Sequence, residues 1–145
     1  MYQKARERNI FAGLIILDLI AFISFVIFTY GIVYYGDIQI LIGCFVGTRF
    51  TVKNVKPNQS FYIHGLVVSL GGSILAAISF TMFDWVYFLD PISDLIIIFV
   101  AYLIEAIIIG LLVGSILATY YNYKRKRHVE LSSKDQELLK SLIDQ

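Results

Sequence analysis

The stretch that decides the fold is FYIHGLVVSLGGSILAAISFTMF, residues 61–83. It contains no Asp, Glu, Lys or Arg, and His64 is its only histidine. A helix needs about 20 predominantly apolar residues to cross a hydrocarbon core about 30 Å thick. This stretch therefore predicts a transmembrane helix.

Three further segments, two before this stretch and one after it, are candidate transmembrane helices. Residues 10–33 and 91–121 are long and apolar, and they carry the carboxylates Asp18 and Glu105. Residues 38–53 are shorter and would rise only about 24 Å as a helix. A full span across a locally thinned bilayer and a re-entrant hairpin both fit that length. Asp90 before Pro91 resembles an N-cap, which predicts that the last helix begins there.

The composition excludes an ordinary soluble domain. Apolar residues make up 58% of the 145 residues and charged residues 16%, against roughly 45 to 50% and 25% in soluble proteins. A soluble domain of this size cannot bury such an excess, so we expect the lipid bilayer to be the solvent. The net charge of +1 gives no reason to expect nucleic acid as a partner.

The charges are distributed unevenly along the chain. If all four segments span, every basic residue falls on one side of the membrane: Lys4, Arg6, Arg8, Arg49, Lys53, Lys56, Lys124, Arg125, Lys126, Arg127, Lys134 and Lys140. The charged residues of the opposite connections are all acidic: Asp37, Asp84, Asp90 and Asp94. The positive-inside rule then places both termini in the cytoplasm. We predict an all-α, multi-pass, four-helix bundle in the cell membrane, with an uncleaved first segment because no cleavage site follows it.

Small residues recur every four positions in three of the predicted helices. The three series are Gly43, Gly47 and Thr51; Gly65, Ser69, Ser73 and Ala77; and Ala106, Gly110, Gly114 and Ala118. Transmembrane helices associate where small side chains let their backbones approach. These faces are expected to pack within one bundle, and the alternative is contact with a second copy or with other membrane subunits.

Ionisable residues inside the predicted spans are the candidates for function. A charged carboxylate near the bilayer centre costs roughly 2.5 to 3.5 kcal/mol, so Asp18 and Glu105 should be protonated, paired or in a polar cavity. Arg49 and His64 are candidate partners, together with hydroxyls such as Ser69 and Ser73. One hypothesis is a proton or cation relay through both carboxylates, and the other is structural hydrogen bonding or contact with a partner.

The remaining segment, 124–145, is predicted to be a separate unit after a helical domain of residues 1–123. A basic run, KRKRH, is followed by residues that fit a short cytoplasmic amphipathic helix, with a capping box at Ser133 and Gln136. Its alternatives are packing on the membrane or bundle and docking of a cytoplasmic partner. Cys44 is the single cysteine and excludes an intrachain disulfide.

The sequence does not favour an enzyme. It holds two His and one Cys without metal-ligand spacing, and it lacks a nucleophile elbow or a glycine-rich phosphate loop. We therefore expect no catalytic residues, no metal and no cofactor.

A local resemblance covers residues 42–66. Ile42-Gly43, Gly47, Arg49, a short polar turn and His64-Gly65 resemble small four-span prokaryotic membrane protein families of unknown function. The resemblance implies the topology and a prokaryotic source but supplies no activity. Size and span number are also similar to small multidrug-resistance exporters, which use a carboxylate in the first helix. The chain departs from them with Asp18 in place of Glu, its only Trp in an outer loop, and a long tail.

The sequence thus favours a structural, accessory or oligomer-forming membrane component over its alternative. That alternative is a small proton- or cation-coupled transporter that uses Asp18 and Glu105.

Overall fold

The computed structural model describes residues 2–29, 36–56, 59–89 and 91–143. Within them the chain forms four α-helices: α1 (Tyr2–Thr29), α2 (Gly36–Lys53), α3 (Phe61–Phe88) and α4 (Ile92–Ile143). Three stretches are long and apolar enough to cross a membrane, Glu7–Phe28, Phe61–Phe88 and Ile92–Leu131. The all-helical prediction is confirmed at this level, and residues 30–33 of the first predicted span lie outside the described residues.

Helices that are consecutive in the chain run in opposite directions. Along α1 and α2 the contacts run in opposite order, Gly13 with Thr51, Leu17 with Gly47 and Ala21 with Gly43. The same holds for α3 and α4, where the contacts are Gly65 with Gly114, Leu70 with Gly110 and Ser73 with Ala106. We call the end where α1 and α3 begin the basic end and the opposite end the acidic end. The basic end holds Arg8, Arg49, Lys53, Lys56 and the run 124–127.

The four helices are not equivalent in their packing. Both α2 and α3 pack against each of the other helices, whereas the described backbones of α1 and α4 do not approach each other. Helix α2, although the shortest, therefore shares the centre of the bundle with α3. Its buried face includes Ile40, Cys44 and Val52.

The C-terminal boundary of α3 differs from the sequence prediction. Helix α3 continues five residues beyond Phe83 and ends at a left-handed cap on Leu89, with φ of 56°. Asp84, assigned from the sequence to a connection, is consequently inside the helix and only 6% exposed. At the other end Ser60 is the N-cap, and its hydroxyl accepts a hydrogen bond from the Ile63 amide.

Helix α4 also differs from the prediction. The tail is not a separate short helix, because α4 continues through the basic run to Ile143 without a break. The basic run contains neither Pro nor Gly, so nothing in it interrupts the helix. At its start the Pro91 carbonyl accepts hydrogen bonds from Asp94 and Leu95, and helical structure begins at Ile92. The predicted N-cap, Asp90, lies outside the described residues.

Candidate functional site

Asp18 is half-buried on the side of α1 that faces α3. Its Oδ1 accepts a hydrogen bond of 2.9 Å from the hydroxyl of Ser79. The sequence does not single out Ser79 as a partner of Asp18. The hydrogen bond comes from Ser79 and not from Arg49 or His64, which the sequence had suggested. A hydroxyl in the middle of α3 thus satisfies one oxygen of the carboxyl group.

Glu105 lies at a similar depth on a different helix. The carbonyl of Ala106, the residue after Glu105, accepts a hydrogen bond of 2.8 Å from the Ser73 hydroxyl of α3. Gly72, the residue before Ser73, lies against Leu17 of α1, which precedes Asp18. Successive residues of a helix point about 100° apart, so α3 presents Gly72 to α1 and Ser73 to α4. Helix α3 therefore contacts both helix segments that carry the carboxylates, next to Asp18 on α1 and next to Glu105 on α4.

His64 is buried in the first turn of α3, with 2% of its surface exposed. Its Nδ1 lies 2.8 Å from the carbonyl oxygen of Ser60. A carbonyl oxygen only accepts, so Nδ1 must be the donor and a neutral ring carries its lone pair on Nε2. Among the described residues no hydrogen-bond partner faces that buried Nε2.

Arg49 is exposed on the surface of α2. Its guanidinium carbon lies 6.0 Å from the centroid of the Phe45 ring, one turn earlier on the same helix. Together with Lys124 and Tyr120 it lines a groove between α2 and α4. The structure thus gives Asp18, His64 and Arg49 three different contacts, with Ser79, Ser60 and Phe45 respectively.

The small residues singled out in the sequence lie between helices of the same chain. A Cβ built on Gly43 would be 2.7 Å from the Leu17 carbonyl oxygen, and one on Gly47 would be 2.8 Å from that of Gly13. The second interface, between α3 and α4, contains Gly65, Ser69, Ser73, Gly110 and Gly114. At both interfaces the backbones approach so closely that a methyl group would not fit without movement.

Sequence reasoning missed a buried polar and aromatic cluster towards the acidic end. The Tyr102 hydroxyl donates to Asp84 Oδ2 at 3.2 Å. Phe25 stacks on Phe80 with ring centroids 4.2 Å apart, and Phe83 and Tyr102 meet Phe25 edge-on. The signal was the continued apolar pattern beyond Phe83, which keeps Asp84 on the helix.

Within the described ranges no three His, Cys, Asp or Glu side chains come together to hold a metal ion. The chain matches no family model, no curated protein and no solved structure.

Proposed function

We propose that the chain is a non-enzymatic, four-span component of the cell membrane, with both termini in the cytoplasm, that serves an accessory role in a larger membrane assembly. The observation that carries this proposal is the unbroken α4. Arg125 of α4 lies over the Phe61 ring at the start of α3, at 5.3 Å. The eighteen residues that follow, 126–143, rise about 27 Å further in one helix.

The part of α4 after Arg125 is suited to contact with a partner protein outside the bilayer. The described backbone of α1 does not pack on α4, and the side chains from Lys126 to Leu131 are exposed. Val129 and Leu131 expose 64% and 51% of their surfaces beside charged neighbours. A helix held rigidly to a membrane bundle offers a partner a surface that costs little conformational entropy to order.

The position of α2 supports a full span. Its last turn is level with the first apolar turns of α1, where the Thr51 hydroxyl lies 3.5 Å from the Asn9 carbonyl oxygen. Its 18 residues rise about 27 Å, close to the hydrocarbon thickness. With four spans, the basic end faces the cytoplasm by the positive-inside rule.

Photo-crosslinking tests the accessory role. A benzophenone amino acid in place of Val129 is expected to give a discrete protein adduct in native membranes, because this side chain projects from the bundle. Phe11, also 64% exposed but on the lipid-facing side of α1, is the matched control and should give lipid adducts only. Identical products from both positions, or none from Val129, would overturn the accessory role.

Cysteine labelling tests the topology separately. In a Cys44→Ala background, Ser93→Cys at the start of α4 should react with an impermeant maleimide added outside intact cells. Gln59→Cys, between α2 and α3, should react only after permeabilisation. Labelling of Gln59→Cys from outside would mean either that α2 does not span or that the bundle is inverted, and either result would contradict the proposed topology.

The transporter alternative requires that Asp18 and Glu105 both take part in the movement of a proton or cation. In proteoliposomes under a pH gradient, we expect the native chain and the Asp18→Asn and Glu105→Gln variants to leak protons equally. Proton flux lost in both variants would establish the relay and contradict the accessory role.

A further inference from the structure

We propose that the groove between α2 and α4 at the basic end binds the headgroup of an anionic phospholipid from the cytoplasmic leaflet. The inference rests on the proposed orientation of the bundle. The groove encloses about 380 Å³. Its wall combines the cations Arg49 and Lys124 with the apolar side chains of Phe45, Ile116 and Leu117, and none of the described lining residues is acidic.

The direction of the two helices explains why these cations face the lipid. Helical side chains tilt towards the N-terminus of their own helix. Helices α2 and α4 both run from the acidic end to the basic end, so Arg49 and Lys124 tilt back towards the hydrocarbon. The position of the Arg49 guanidinium over the Phe45 ring agrees with this tilt.

A cation held below the membrane surface is costly without an anion beside it. Within the described parts of the chain, neither Arg49 nor Lys124 has a carboxylate partner. A phosphodiester would supply that partner, since guanidinium groups bind phosphate in a bidentate manner. Basic pockets between transmembrane helices on the cytoplasmic side suit lipid headgroups for this reason.

The rest of the groove fits the remainder of a phospholipid. Tyr120 and Tyr121 place phenol groups beside the cations, where a glycerol or ester oxygen can accept a hydrogen bond. Ile116 is 64% exposed and Phe45 45%, which leaves an apolar path for an acyl chain towards the bilayer centre. A second concavity further along α4 shares Tyr120 and Lys124 and adds Arg127 and His128, so positive charge continues outward.

Native mass spectrometry of the intact chain, released from micelles doped with phosphatidylglycerol or phosphatidylcholine, tests the site. We expect preferential binding of phosphatidylglycerol. Arg49→Gln and Lys124→Gln should each weaken it about tenfold, as expected for the loss of a charge-assisted hydrogen bond. The matched controls are Lys53→Gln and Lys126→Gln, which remove the same charge from the same helices outside the groove, and they should change binding less than twofold.

Each other outcome overturns the proposal. If groove and control variants weaken phosphatidylglycerol binding equally, the lipid is attracted by diffuse positive charge and not by the groove. If phosphatidylcholine binds equally well, the groove acts only as an apolar surface, such as one that packs against a partner helix. Displacement of the lipid by millimolar inorganic phosphate would identify a site for free anions. None of these results bears on topology or on crosslinking at Val129, so the site can fail while the proposed function stands.

Discussion

The two halves of the bundle are held together by opposite means. Towards the basic end, α1 packs on α2 and α3 on α4 through glycines, and there is no room for an added methyl group. Towards the acidic end, the space is filled by the rings of Phe25, Phe80 and Phe83. The first arrangement is sensitive to added volume and the second to removed volume.

This difference follows from the solvent. Lipid tails solvate apolar side chains as well as a protein core does, so burial alone does not drive helices together in a bilayer. What remains is the number of close contacts and the few interhelical hydrogen bonds. Close backbone approach supplies contacts in one half, and stacked and edge-on rings supply them in the other.

The largest expected effect comes from adding a methyl group to the glycine half. In Gly47→Ala the new Cβ would lie 2.8 Å from the Gly13 carbonyl oxygen and 3.0 Å from the Leu17 Cα. Backbone atoms cannot rotate away, so the variant should lose about 3 kcal/mol, the upper end of the cost of overpacking. Cys44 is fully buried and reports opening by its reaction with a maleimide, which should become about 100-fold faster.

Gly71→Ala is the matched control. Its Cβ would meet only the end of the Leu14 side chain, at 3.1 Å, and that side chain can rotate. The labelling rate of Cys44 should therefore stay the same or fall. If both variants label at similar rates, close approach is not what holds the glycine half together.

Removing a ring from the aromatic half should have the next largest effect. Phe80 is fully buried between Phe25 and Tyr102, and Phe80→Ala should cost about 2 kcal/mol, less than in a soluble core because the transfer term is absent in lipid. The labelling rate of Cys44 should rise about 30-fold. Phe11→Ala, on the lipid-facing side of α1, should leave the rate unchanged, and an equal rise there would contradict the role of ring packing.

The sequence predicted the glycine half better than the aromatic half. Small residues spaced by four mark a face of a helix whatever its partner is, so Gly43, Gly47 and Gly110 could be selected without a structure. Aromatic residues carry no such signature, because the same ring serves as core, as interface anchor or as lipid-facing surface. The sequence therefore gave no reason to single out Phe80.

The sequence identifies the buried polar residues but not the residues that they contact. The cost of burial singles out Asp18 and Glu105, but the identity of their neighbours depends on helix order and rotation. Ser79 could not be chosen over Ser69 or Ser73 without knowing which face of α3 meets α1. Asp84 was placed in a connection because the boundary at Phe83 was set by hydropathy, and Asp84 can stay within α3 because Tyr102 donates a hydrogen bond to it.

The smallest expected effect lies where the two halves meet. The Ser73 hydroxyl donates to the Ala106 carbonyl across the interface at 2.8 Å, and such interhelical hydrogen bonds contribute only about 0.6 kcal/mol in membranes. Ser73→Ala should therefore speed labelling of Cys44 only about threefold. Thr81→Val removes a hydroxyl that binds within its own helix, to the Ala77 carbonyl, and should leave the rate unchanged. If Ser73→Ala instead matched Gly47→Ala, a polar contact rather than backbone proximity would be the main link between α3 and α4.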